Sequence, residues 1–286
     1  MSDVNVYEHE IPNGSKLYFA KSAKLKRKIE QKASEILEDE GFSEIVTPFF
    51  SYHQHLSVDA TNLLRFSDSL NHEISLRADS TVDTVRIVLR RLKANEPKRW
   101  FYIQPVFRYP SQEIYQIGAE LIGENDILKS INIVAKLFGE LEIGACLQLS
   151  NMQIPRIICE ILNLEIEIFE NSWLEKILAQ NVPWLSKLAL LKDASELDEI
   201  INLVPNKLKE ALRNLQSVAK SLEYKNLRIV PLYYSKMRYY DSLFFRFLKD
   251  NAILASGGNY EIDGISSSGF AVYTDALIEE KINLRK

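Results

Sequence analysis

Apolar residues recur along the chain at two spacings, and the switches between them mark the elements. Over 22–42, SAKLKRKIEQKASEILEDEGF, the residues Leu25, Ile29, Ala33, Ile36 and Leu37 share one helical face, and Gly41 suits a C-terminal cap. A β-rich run, SEIVTPFF, follows at 43–50, where Pro48 predicts a strand end or edge. Two short alternating segments at 62–68 and 73–79 read as a hairpin. The pattern then predicts a helix over 79–95, with Asp79 or Ser80 as N-cap, and paired strands over 99–109 and 113–123. A capped helix over 125–143 and a strand over 145–151 complete the first half.

From about 153 to 225 the texture changes to Leu, Ile, Lys and Glu at helical spacing, with breaks at Pro183 and Pro205. This segment reads as a helical insertion whose charge runs are solvated faces. Strand character resumes at 227–234, 239–248 and 253–264, and four of the ten glycines lie between 257 and 269. Last comes GFAVYTDAL, 269–277, an apolar strand leading to Thr274 and Asp275, which are placed to cap a final helix. The whole is an α+β chain: a mostly antiparallel sheet flanked by helices. Residues 1–152 and 226–286 form the core, and 153–225 form the insertion.

Charge and composition narrow the function. Thirty-five Lys and Arg against 39 Asp and Glu leave a net charge of −4, a poor start for binding a polyanion. The two cysteines, Cys146 and Cys159, have apolar flanks and suggest burial rather than a disulfide framework or a zinc site. His53 and His55 stand two apart without further ligands, and His9 and His72 are isolated, so no metal site is expected. No P-loop, GxGxxG, Ser-His-Asp or Cys-His pattern occurs, and no cofactor is implied. The polar, acidic N-terminus and the lack of an apolar run of roughly 18 residues fit a soluble cytoplasmic protein without a signal peptide.

Several strand positions carry polar groups that an ordinary core would not choose. LRADST puts Arg77 and Asp79 at a strand end, and PVFRY ends on Arg108. EIYQIGAELIG sets Gln116, Gly118 and Glu120 on one face by alternation, and YYDSLFF offers Tyr239, Tyr240 and Asp241. If Gln116, Glu120 and Asp79 face one pocket, two carboxylates and an amide suit an ammonium group, such as the α-amino end of an amino acid. The alternative is a sheet with one wet face.

In order and wording these segments resemble class II aminoacyl-tRNA synthetases, and histidyl-tRNA synthetase in particular. GFSEIVTPFF resembles motif 1 with Pro48 as its proline; VFRYPSQEIYQIGAELIG resembles motif 2 with Arg108 as its arginine; GFAVYTDAL stands at motif 3. The resemblance covers roughly 20–130 and 225–280. It implies that Asp79, Thr81, Gln116, Glu120, Tyr239 and Tyr240 bind histidine. The phosphate-gripping cations are missing: Ala276 stands at the motif 3 arginine and Ser235 at the arginine before the paired tyrosines, with Lys236 and Arg238 nearby. The motif 2 loop is short, and the chain ends at Lys286, before any anticodon-binding domain of the synthetase pattern. Activation of an amino acid needs positive charge around a triphosphate, and each lost donor costs about 2.7–4 kcal/mol, so no catalytic residues are expected.

The chain also resembles the regulatory subunits of ATP phosphoribosyltransferase, synthetase-derived paralogues whose LRADxT wording LRADST matches. That resemblance implies a non-catalytic subunit that activates a short-form catalytic partner in histidine biosynthesis. It further implies feedback by histidine, and a homodimer through the motif 1 region within a hetero-oligomer. Two other readings stay open: a divergent ligase that activates an amino acid with ATP, and a remnant that binds tRNA-like structures, which the net negative charge disfavours.

Overall fold

The computed structural model describes residues 10–92 and 98–283. Helix α1 (Ala20–Asp39) buries Ile29, Ala33, Ile36 and Leu37, the face its spacing predicts. It stops at Gly41, whose φ of +81° lets Phe42 N donate to Leu37 O at 3.0 Å. The run at 43–50 does not form one strand. It supplies β1 (Ser43–Glu44) and β2 (Phe50–Ser51) with extended backbone between them. The reason is Arg77: its Nη1 takes the carbonyls of Thr47 and Pro48, at 2.8 and 3.1 Å, which are therefore not available to a neighbouring strand.

The hairpin forms as β3 (Arg65–Ser67) and β4 (Glu73–Leu76) and, with β2, makes a three-stranded sheet in the order β2-β4-β3. Helix α2 (Thr81–Ile87) follows and passes into a π-helical turn over Val88–Leu92; the end of the helix predicted to 95 lies outside the described residues. Ser80 makes no capping bond, whereas Asp79 Oδ2 accepts from Val82 N at 3.4 Å.

The main sheet has eight strands in the order β1-β5-β6-β11-β10-β9-β7-β8. Strands β5 (Arg99–Arg108) and β6 (Gln112–Leu121) pair antiparallel along their length. After α3 (Ile127–Glu140), capped by Asp126 Oδ1 on Lys129 N at 3.0 Å, comes β7 (Cys146–Asn151). The helices α4 (Gln153–Leu162), α5 (Glu167–Glu170), α6 (Leu174–Leu178), α7 (Pro183–Leu190), α8 (Leu197–Leu203) and α9 (Asn206–Ser221) fill the segment read as an insertion. Then β8 (Leu227–Ile229), β9 (Tyr240–Lys249), β10 (Ala252–Ile262), β11 (Ile265–Tyr273) and α10 (Thr274–Asn283) close the fold. The edge pairs β1–β5 and β7–β8 are parallel and the inner pairs antiparallel, as a mostly antiparallel sheet requires.

One face of this sheet packs on α1, α3 and α10 in a core that runs on without a break into the helical segment. Leu185, Leu208, Leu212 and Leu215 belong to the same buried cluster as Leu147 and Leu149 of β7. Asn151 Nδ2 donates to Ala211 O at 3.2 Å across that junction. The opposite face carries a smaller cluster of Val82, Val85, Met152, Tyr240, Phe244 and Tyr260 under α2. Beside that cluster lies the cavity described next. Among the described residues, no helix is long and apolar enough to cross a membrane.

Candidate functional site

A cavity of about 300 Å³ lies over β6, β9, β10 and β11. Both signs of charge line it. Asp79, just past β4, and Gln116 of β6 face it with Tyr239 and Tyr240. Tyr239 donates its hydroxyl to Asp79 Oδ1 at 3.1 Å, and the two tyrosine rings lie 4.6 Å apart. Burial pushes the Asp79 carboxyl above its ordinary range, against the pull of Arg108. Gln116 is almost fully buried, yet it lines the cavity.

Asp79 is held from behind. Gln54 Oε1 accepts from the amides of Ala78 and Asp79, both at 2.7 Å, while its Nε2 donates to Asp79 O at 3.0 Å and to Asp83 Oδ2 at 2.7 Å. Arg77, grouped with Asp79 by sequence, is no part of the site. It is fully buried and staples Thr47 and Pro48 to Pro105, whose carbonyl accepts from Nε and Nη2 at 3.0 and 2.7 Å. Burial lowers its pKa to about 10.

Glu120 occupies the face that alternation predicts, but behind the wall rather than on it. It is fully buried and does not line the cavity. Tyr260 donates to its Oε2 at 2.7 Å and Tyr102 to its Oε1 at 3.1 Å. Two glycines make room for this arrangement. A Cβ on Gly118 would lie 2.3 Å from the Tyr102 ring, and one on Gly269 would lie 2.0 Å from Glu120 Oε2. Burial lifts the Glu120 pKa to about 8, so most of it holds a proton at neutral pH. Thr81, the first residue of α2, is likewise buried and away from the cavity wall.

Cations line the cavity too. Arg108 ends β5 beside Asp79 and spends its Nε on Ala78 O at 3.2 Å, which leaves the rest of its guanidinium to the cavity. Ser235 lines the cavity without charge and uses its Oγ to accept from Met237 N at 3.2 Å. Lys236 reaches the mouth, where its Nζ donates to Asn171 Oδ1 at 3.2 Å beside Glu170 of α5. Arg238 does not contribute: it turns away to Asp59 at 2.8 Å. Sequence reading missed Arg246 of β9, which lines the cavity with its guanidinium 3.6 Å above the Tyr233 ring. A lone arginine inside the apolar run LFFRFL was the available signal. The helical segment, given no chemistry from its sequence, supplies Glu170 here and Arg156, which donates to Tyr240 O at 3.0 Å.

The strand-to-helix junction departs from expectation. Asp275 neither caps α10 nor faces the cavity. One of its oxygens accepts from the Tyr18 hydroxyl and the other from Tyr115 N at 2.9 Å. Thr274 Oγ1 is buried without a partner among the described residues, and Ala276 packs against the main core. Among the described residues no group of three or more His, Cys, Asp and Glu could hold a metal.

The family described as histidyl-tRNA synthetase matches residues 18–277. An ATP phosphoribosyltransferase regulatory subunit of Wolinella succinogenes is 47% identical over 279 residues, which span 97% of each chain. The chain belongs to this family of regulatory subunits. Another member, from Helicobacter hepaticus, is 39% identical over 96% of this chain and 98% of its own. A histidine–tRNA ligase of Saccharolobus solfataricus is 25% identical over 96% of this chain and 78% of its own. Among solved structures, an ATP phosphoribosyltransferase regulatory subunit/histidyl-tRNA synthetase from Bacillus halodurans superimposes with a TM-score of 0.85. It is 20% identical and covers 96% of this chain and 83% of that one, a likeness of fold. The class II synthetase-like α+β architecture is thereby established.

Proposed function

We propose that the chain is a non-catalytic regulatory subunit of ATP phosphoribosyltransferase. In this reading it activates a short-form catalytic subunit and senses histidine in the cavity over the sheet. The observation that carries the reading is which groups line the cavity and which have gone from it. Asp79, Gln116, Tyr239 and Tyr240 remain poised for an amino acid's ammonium and side chain. The synthetase's cations at Ser235 and Ala276 are gone. Glu120 and Thr81 lie behind the lining, and Glu120 reaches it through Tyr260, whose ring meets Tyr239 edge-on at 5.8 Å. Histidine bound there shifts the assembly only if its affinity differs between the active and inhibited states.

A homodimer fits the same reading. Around the motif 1 segment, Val46 is 79% exposed and Phe50 57%, and Phe50 meets Phe66 edge-on at 6.1 Å. An exposed apolar and aromatic group of this kind suits a second copy of the chain.

Reconstitution tests the function. Added to a short-form catalytic subunit, the chain should raise phosphoribosyl transfer, and histidine should suppress it. A catalytic subunit indifferent to the chain would sink the reading. Arg108 and Lys236 at the cavity keep the ligase reading alive; it predicts histidine-dependent exchange of pyrophosphate into ATP, which the regulatory reading predicts to be absent.

A further inference from the structure

The cavity holds more positive charge than an amino acid's carboxylate requires. Arg108, Lys236 and Arg246 line the cavity against the carboxylates of Asp79 and Glu170. Arg108 alone offers unspent guanidinium donors, which suffice for one carboxylate. Arg246 is then surplus. It is half-buried; its Nη2 donates to Gln148 Oε1 at 2.6 Å, and its guanidinium also interacts with the Tyr233 side chain. Its Nε is buried and has no hydrogen-bond partner among the described residues. A half-buried guanidinium without an anionic partner retains unspent donors, and Tyr233, stacked beneath it, satisfies only part of its charge. Next to it the sheet presents hydroxyls: Ser256 is the register partner of Arg246 on β10, and its Oγ lies 3.0 Å from the Tyr273 hydroxyl. Both line the same cavity.

We propose that the Arg246 side of the cavity is a second subsite, for a phosphate group, separate from the amino-acid wall. Guanidinium donors, a lysine at the mouth and hydroxyl groups from β10 and β11 suit a tetrahedral oxyanion better than a planar carboxylate, because more of its oxygens need donors. The charge comes from β9, not from the positions where Ser235 and Ala276 stand, so the subsite is a rebuilt one. The inference shares a cavity with the proposed histidine site but does not depend on which amino acid binds there.

The test is calorimetric titration and thermal denaturation of the full chain with inorganic phosphate and pyrophosphate. Acetate serves as the carboxylate control and chloride holds ionic strength constant. Saturable binding of phosphate or pyrophosphate, with histidine still bound, is expected. Arg246→Gln should weaken it at least roughly tenfold, the loss of one charge-assisted hydrogen bond, while leaving the histidine response in place. If that variant does not fold, Lys236→Glu at the exposed mouth should weaken phosphate binding in the same direction. The proposal is overturned if phosphate acts no better than chloride or acetate, if it displaces histidine, or if folded variants bind it unchanged. Loss of histidine binding alone would count against the histidine reading and leave this one standing.

Discussion

The side-chain oxygen of Gln54 accepts from the amides of Ala78 and Asp79 at 2.7 Å each. Gln54 follows β2, on the segment that bears the exposed aromatics, whereas Asp79 forms part of the cavity wall. One buried amide therefore ties the face suited to a second copy to the carboxylate suited to the ligand.

Replacing Gln54 by Ala should leave two buried amides unsatisfied. We expect a loss of about 1–3 kcal/mol in urea denaturation, together with weaker histidine binding by calorimetry. Unchanged stability would mean that water replaces the amide at this junction.

Asp79→Asn separates binding from folding. Burial already disfavours the charged carboxylate, so removing the charge should cost little stability. Histidine affinity should fall roughly ten- to hundredfold, the worth of a charge-assisted hydrogen bond. A full thermal shift with histidine in this variant would remove Asp79 from the ammonium site.

Glu120 should make stability depend on pH in a defined direction. Its folded pKa, about 8, lies above the ordinary 4.5, so the folded state holds the proton more tightly. The contribution is whole below about pH 4.5 and is lost as pH rises through 8. Each pH unit within that window changes stability by up to about 1.4 kcal/mol. Glu120→Gln, neutral at every pH, should flatten the slope between pH 5.5 and 8.5 relative to the parent chain. Asp79 and Asp83 shift the same way and remain in both proteins, so the difference between the two slopes reports Glu120.

The glycines beneath the site divide by what a methyl group would meet. Gly118→Ala and Gly269→Ala should each cost about 1–3 kcal/mol by overpacking, against the Tyr102 ring and Glu120. Gly139 lies inside α3 with nothing within 4 Å of an added Cβ, so Gly139→Ala should stabilise by about 0.4–1 kcal/mol. Melting temperatures of the three variants check the ranking.

Periodicity is a local property, and what depends on it was legible in the chain itself: the buried face of α1, the β5–β6 hairpin, the face shared by Gln116 and Glu120, and the segment order that marks the family. Depth and partnership depend on residues far apart in sequence, and only the tertiary structure decided them. Arg77 and Asp79 are two apart just past β4, yet one staples the core through Thr47 and Pro105 and the other faces the cavity beside Tyr239. Alternation put Glu120 on one face with Gln116; Tyr102 of β5 and Tyr260 of β10, two strands away, take up its carboxyl and keep it off the cavity lining. Asp275, in GFAVYTDAL, reads as a helix cap until Tyr18 and Tyr115 are seen to take its carboxylate. Arg246 carried no motif at all. Its place beside Ser256 and above Tyr233 follows from strand register, which no local pattern encodes.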